Sequence, residues 1–326
     1  MASVGGQCDS VLVVGFGGPT RPEEIRPFLD NVLRGRPVPR ERYEEVVRHY
    51  ESSGGRSPYN ELTLRQTDAL RADLSHRGIT VPIEVGMRNW EPYIRDVVPQ
   101  MVSAGVERAV AICLAPHASR TSVGLYRKAL FGALERPDDK CPEQVSGKPA
   151  LPFACEFVES WHDHPLLIEA FADKFRAGYA LACGGAGGAV PVIFTAHSVP
   201  TRTVTEGDPY ERQTRETAKL VAGAVGLRDD ESTFAFQSQG MSGGPWLGPT
   251  VEETIESLKA KGAKGVFIQP IGFLCDHVEV LYDIDIAFKK FAEEHGMKLW
   301  RAGSLNDSPI LSRAIADVAR RALSRG

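Results

Sequence analysis

The sequence predicts an α/β protein made of two similar Rossmann-like lobes, each with a parallel sheet, and a ligand cleft between them. Three observations lead there. Short β-branched runs that stop at Gly, Pro or polar residues alternate with longer amphipathic stretches, as in "VLVVGFGG", "AVAICLAP", "VPVIFTAHS" and "GVFIQPIG". The chain also repeats itself: "EPYIRDVVPQMVSAGVERAVAICLAP" (91–116) aligns without gaps with "GPTVEETIESLKAKGAKGVFIQPIGF" (248–273), 157 residues later. Finally, "VVGFGGP" (13–19) echoes "IFTAHSVP" (193–200) with the last Pro in register, which sets Phe16 opposite His197.

Each element follows from these patterns. Continuous apolar runs suit strands covered on both faces, and strand–helix alternation implies parallel pairing through right-handed crossovers. The run at 11–15 is the first strand, and "FGGPT" (16–20) is its Gly-rich turn. That turn lacks GxGxxG and any following Lys-Ser/Thr, so a phosphate cradle has little support. In the repeat, Pro92 and Pro249 are expected to open helices that Gly105 and Gly262 end, each followed by a strand. "VPVIFTAHS" then opens the second lobe. The lobes are expected to span 1–175 and 176–326, joined around "ACGGAGGAV" (182–190) or slightly before it, and the C-terminal helix is free to pack back on the first lobe.

The bulk properties exclude several classes. A chain of 326 residues suits two ordinary domains, and a formal charge of −4 gives no basic footprint for nucleic acid. Cys8, Cys113, Cys141, Cys155, Cys183 and Cys275 are scattered without a CxxC pair. That argues against a thiolate-built zinc or iron–sulfur site and against a disulfide framework. The first ten residues lack a basic segment followed by an apolar core, and no apolar run approaches a membrane span. A cytoplasmic protein is expected, and transient contact with a membrane surface is compatible with this.

Ligands of open parallel sheets bind beyond the C-terminal strand ends, so two facing lobes place four strand ends on one cleft. The repeat brings "LAPHAS" opposite "GFLCDH" there. His197 could be a strand-terminal His bonded to a carbonyl, or an imidazole that takes a proton or binds a metal. In "IGFLCDHVEVLYDID" (271–285), Glu279 and Asp283 are four apart and would share one helical face, one turn apart. Such a pair is usually solvated; directly after an apolar strand it would be partly desolvated and able to bind cations or shuttle protons. Asp285 reads as a cap or surface charge, and Asp276 and His277 as turn residues. His117 favours a structural role. His162 and His164 in "WHDHP" point to different faces and make a poor metal pair. Trp246, in "GGPWLGP" (243–249), packs in the core or walls a flat ligand; both readings stand.

These motifs resemble one family. "FTAHSVP", "SGGPWLGPTVEETI" and "GFLCDHVEVLYDID" look like ferrochelatases, the single-chain enzymes that insert Fe²⁺ into a porphyrin. "VVGFGGPTRPEEIRPFL", "SSGGRSPYNELT", "GMRNWEPYI" and "LAPHASRTSVGLY" match the same family in the same order, over roughly residues 10 to 325. The resemblance implies a chelatase-like fold with the porphyrin between the lobes. It implies that His197 and Glu279 meet over the macrocycle to take pyrrole protons and handle iron, with Asp283 continuing an acidic ridge. Tyr50, Ser57 and Tyr126 match positions that contact the macrocycle or its propionates, and Arg34 is a candidate propionate partner. Phe16 stands where many bacterial members carry Tyr, and it cannot ligate iron.

Further consequences concern partners. Fe²⁺ is a substrate, and no prosthetic cofactor is implied. Arg120 occupies the position of a cluster-ligating Cys in some members, and no Cys-rich tail follows, so no iron–sulfur cluster is expected. Ala287 replaces a further carboxylate and shortens the acidic ridge. The segment between Phe16 and Ser57, "RPVPRERYEEVVRHYESS", is compact and charged, unlike the apolar lip of members that use protoporphyrin. The resemblance is therefore to the soluble, monomeric bacterial type, with coproporphyrin III favoured over protoporphyrin IX. A cobalt or nickel chelatase of the same fold, and a non-catalytic haem-binding or delivery protein, are the rival readings. The presence of Glu279 weakens the first; the presence of both His197 and Glu279 weakens the second.

Overall fold

The computed structural model describes residues 8–134, 151–239 and 244–325; Cys141 and the start of the "SGGPWLGP" motif (242–243) lie outside them. In the first lobe β1 (Ser10–Gly15), β2 (Ile83–Met87), β3 (Arg108–Cys113) and β4 (Ala154–Val158) form a parallel sheet in the order β2-β1-β3-β4. In the second, β5 (Val192–His197), β6 (Ser232–Gln237), β7 (Gly265–Pro270) and β8 (Lys298–Arg301) repeat that order as β6-β5-β7-β8, again all parallel. The strand order reverses at β1 and at β5, so the crevices lie beyond the tips of β1 and β3 and of β5 and β7.

The duplication extends to the register. Val11 pairs with Val110 in one sheet, and Val192 pairs with Phe267 in the other. The 157-residue displacement carries Val110 to Phe267, and the 181-residue displacement that joins Phe16 to His197 carries Val11 to Val192. The two echoes are therefore one structural equivalence. The prolines differ from expectation. Each stands two positions before its helix, with Tyr93 and Thr250 as N-caps of α4 (Ile94–Ser103) and α9 (Val251–Ala260). A proline has no N–H but keeps its carbonyl, and here that carbonyl ties the helix entrance to the neighbouring strand. Met87 N–H donates to Pro92 O at 2.6 Å, and Phe236 N–H to Pro249 O at 2.8 Å. Gly105 (φ 77°) and Gly262 (φ 88°) do end the helices in left-handed turns. Val106 N–H to Met101 O and Ala263 N–H to Leu258 O, both 3.1 Å, close the same motif.

Both faces of each sheet are covered, as continuous apolar strands require. Around the first sheet lie α1 (Ile25–Leu33), α2 (Arg40–Ser52), α3 (Tyr59–His76), α4 and α5 (Val123–Phe131). Around the second lie α6 (Pro165–Ala186), α7 (Thr201–Thr205), α8 (Tyr210–Val225), α9, α10 (Val278–Leu281) and α11 (Lys289–Glu294), while α12 (Pro309–Leu323) returns to the first lobe. One core joins the inner faces of both sheets, bringing Val11, Val13, Val110 and Ile112 together with Phe171, Phe194, Phe236 and Phe267. The amphipathic α12 sits in that core and packs on α3, β3 and α6. A division at 175/176 falls inside the continuous helix α6, whose packing partners are α8, α12, β7 and β8. The outer face of the first sheet packs under α4 and α5, and that of the second under α9 and the segment 278–292. Among the described residues no helix is long and apolar enough to cross a membrane, and the five described cysteines are free.

Candidate functional site

His197 is the last residue of β5, and its place is fixed from three sides. It pairs with Gln237 of β6. Its carbonyl accepts the hydroxyl of Tyr210 at 3.0 Å, and the Trp246 ring lies edge-on at 6.3 Å. Its Nδ1 contacts the Ser198 carbonyl. A carbonyl only accepts, so Nδ1 donates and Nε2 is the ring atom left facing outward. That Nε2 lies 3.5 Å from Glu279 Oε1.

Glu279 sits between two imidazoles, because its Oε2 is also 3.3 Å from His277 Nε2. Residues two apart do not meet on a regular helix. They meet here because His277 is an extended N-cap (φ −161°, ψ −176°) while Glu279 is already in α10. Burial pushes the Glu279 carboxyl up, but the charge of His197, then the hydrogen bond and charge of His277, outweigh it and hold the group at about 2. A third of the side chain (35%) still faces open space.

Asp283 has the opposite bias. Burial pushes it from the usual 3.8 up to about 6; the Ser238 hydroxyl bonded to Oδ2 opposes this, and the charge of Glu279 reinforces it. Two carboxyls four residues apart are thus driven apart in acidity, an arrangement able to hold charge at one and exchange a proton at the other near neutral pH. The expected single α-helical face is not what joins them. α10 stops at Leu281, and Asp283–Phe288 is a π-helix in which Ile286 N–H (3.0 Å) and Ala287 N–H (2.9 Å) share the Tyr282 carbonyl. Such wide turns concentrate at functional sites.

One sequence reading needs correction. Asp285 is not a cap or a simple surface charge: Arg301 Nε and Nη2 grip its two oxygens at 2.6 and 2.8 Å, with Arg301 mostly buried. The partner lies on β8, sixteen residues on, so no local pattern announces it. His277 serves the turn into α10 as its N-cap, its carbonyl accepting Val280 N–H at 3.0 Å and Leu281 N–H at 2.8 Å, and its ring also reaches Glu279. Asp276 does serve the turn: its carboxylate accepts Ser304 Oγ (2.7 Å) and Asn306 Nδ2 (2.9 Å), and its N–H donates to Asn306 Oδ1 at 2.9 Å.

The facing wall comes from the first lobe. Phe16 follows β1, stands edge-on to Phe28 at 6.0 Å, and donates its N–H to Tyr59 Oη at 2.9 Å. Tyr59 in turn lies 6.4 Å from the His277 ring, so the tips of both lobes approach. Gly17 (φ 85°) has no room for a side chain, because a Cβ would stand 2.8 Å from Trp90 N. Ser57 is buried; its N–H donates to Pro19 O at 2.7 Å and its Oγ accepts Tyr59 N–H at 3.3 Å, which closes the loop after β1. Tyr50 packs edge-on to Phe28 at 5.9 Å, in an apolar cluster that also takes Val278 from the second lobe. Arg34 ends α1 in a left-handed conformation (φ 51°) and donates Nη2 to Arg88 O at 3.1 Å. Burial raises the phenols of Tyr50, Tyr126 and Tyr210, and the charge of Glu279 raises each further. All three therefore lie within its field. His49 of the lip stacks on Tyr282 at 3.7 Å, a second bridge between lobes.

His117, His162 and His164 are held by the fold. His117 is buried, bonds Thr217 Oγ1 at 2.9 Å, and is pushed down to about 3 by burial and by His162. His162 meets Glu216 and His164 meets Asp317, each at 3.0 Å. Arg120 donates to the Arg202 and Thr203 carbonyls and pairs with Glu206, so it cross-links the lobes. A groove of about 680 Å³ beside Arg120, Arg127, Phe157 and Asp208 contains none of the candidate residues.

Comparison with known proteins bears on the whole chain. Residues 8–323 match the ferrochelatase family. A ferrochelatase of Acidobacterium capsulatum is 48% identical across 97% of this chain and 95% of its own. A coproporphyrin III ferrochelatase of Mycolicibacterium vanbaalenii is 36% identical across 95% and 88%. Among solved structures, the sirohydrochlorin chelatase SirB from Bacillus subtilis in complex with cobalt aligns over 97% of this chain and 95% of its own. Its TM-score is 0.56 at 10% identity, which speaks to fold alone.

Proposed function

The chain belongs to the ferrochelatase family, and from that premise we propose that it inserts Fe²⁺ into coproporphyrin III, releasing two protons, in haem biosynthesis. The observation that carries this reading is the 3.5 Å approach of His197 Nε2 to Glu279 Oε1, between the tips of β5 and α10, opposite the Phe16 wall. Metallation exchanges two pyrrole N–H protons for one divalent cation, so the site must remove protons and tolerate Fe²⁺ without trapping it. The outward Nε2 of His197, in its neutral form, can take a pyrrole proton, and the imidazolium so formed pairs with Glu279. Glu279, ionised by its two imidazoles, supplies negative charge for the cation. Asp283, with its carboxyl raised to about 6, is matched to passing a proton on near neutral pH. Imidazole and carboxylate together suit Fe²⁺ with moderate hold.

The substrate follows from the lip. Coproporphyrin III carries four propionates where protoporphyrin IX carries two. The helix α2 exposes Arg40 and Arg48 and buries its own Tyr50, and Arg34 ends the neighbouring α1. Several relatives are coproporphyrin III ferrochelatases. Trp246 beside His197, and Ser57 and Tyr126 on the other side, would border the macrocycle.

The test is anaerobic Fe²⁺ insertion with both porphyrins in parallel. A tenfold or larger preference (about 1.4 kcal/mol) for coproporphyrin III is expected. The reverse preference would assign protoporphyrin IX, and tight haem binding without insertion would make the protein a carrier.

A further inference from the structure

We infer that Gln237, at the tip of β6, is a positioning residue for metal insertion, holding Glu279 in register with His197. The inference rests on the chelatase reading and adds a residue to it. Gln237 is fully buried, and its Nε2 donates to the backbone carbonyl of Glu279 at 2.7 Å. Its own carbonyl accepts Ser198 N–H at 2.7 Å, and in the ladder it lies directly beside His197. One residue therefore touches the backbone on both sides of the His197–Glu279 pair. The next residue, Ser238, takes a left-handed conformation (φ 58°), and its hydroxyl bonds Asp283. The end of β6 thus reaches all three groups assigned to the chemistry.

Glu279 needs such an outside tie. It belongs to a helix of four residues that passes directly into a π-helix. So short a helix cannot hold its own geometry. The Gln237 amide is also half used: Nε2 is bonded, while Oε1 is buried with no hydrogen-bond partner among the described residues. Burying an amide in that state costs stability, and an apolar side chain of the same shape would avoid it. The donor, and not the packing volume, is what the site gains from this residue.

Gln237→Met keeps the volume and removes the donor. In the enzyme we expect a melting temperature within a few degrees of wild type, the lost bond to the Glu279 carbonyl being offset by relief of the bare Oε1, with an unchanged KM for the porphyrin and a kcat lowered by about tenfold or more, as small misplacements of reacting groups do. A second variant, Gln237→Glu, keeps the shape but sets an acceptor against the Glu279 carbonyl, and should lose at least as much kcat. Wild-type protein without Fe²⁺ insertion would defeat the chelatase reading itself. An active wild type with Gln237→Met within twofold in kcat would overturn the role of Gln237 alone. A loss of kcat accompanied by a matching loss of folded protein would also overturn it, leaving a structural residue.

Discussion

Replacing Asp283 by Asn tests the electrostatics of the site without requiring turnover. The carboxyl moves from 3.8 to about 6, chiefly through burial. About two pKa units at 1.36 kcal/mol each set an upper limit of ~3 kcal/mol that the ionised group costs the fold. The open cleft screens part of this, leaving ~1–2 kcal/mol. The sign follows from proton binding. Below pH ~4 both folded and unfolded chains hold the proton, and the penalty is absent. Between pH ~4 and ~6 the unfolded chain releases it first, so stability falls with pH; above about 6 the penalty is complete and constant. The substituted amide would keep an acceptor for the Ser238 hydroxyl and remove the charge. Denaturant unfolding of Asp283→Asn and wild type should therefore diverge with pH, with the variant more stable by ~1–2 kcal/mol at pH 7.5 and by about half of that or less at pH 4.5. An equal gain at both pH values would show that packing, not charge, is responsible. A variant less stable at pH 7.5 would refute the buried-carboxyl argument.

The other predictions concern turnover and the ion pairs behind the π-helix. His197→Ala should abolish Fe²⁺ insertion with near-ultraviolet dichroism unchanged; substantial activity would remove His197 from the chemistry. Glu279→Gln should lower kcat by about 10²-fold or more with porphyrin KM little altered, and equal losses in both would make Glu279 a binding residue. Arg301→Met should destabilise by ~2–3 kcal/mol at pH 7, because Asp285 and Asp276 lose their shared cation, with the partial exposure of Asp285 limiting the effect. A change under ~0.5 kcal/mol in a melting or denaturant series would show the triad to be ordinary surface charge.

How much of this was legible in the sequence varies with the range of the signal. The two lobes were readable because each strand is a continuous apolar run and the repeat is gapless, so the parallel order and the shared register follow from a pattern of neighbours. His197 and Glu279 stood out because each ends an apolar run and falls within a family motif. The contact of His277 with Glu279 is hidden in the sequence, because residues two apart do not meet on a regular helix, whereas the backbone is extended at 277 and helical two residues later. The π-helix left no trace, since its extra residue changes the ladder and not the hydrophobic pattern. Asp285 and Gln237 escaped for a simpler reason: their partners, Arg301 and the Glu279 carbonyl, lie on other elements.

Val11 with Val110, and Val192 with Phe267, make Phe16 and His197 the same rung of two matching ladders. One rung ends in an aromatic ring with nothing to titrate, its twin in an imidazole. Under the proposed function a flat guest lying between such twins would meet a passive side and a working side, so attack would come from one direction from the outset.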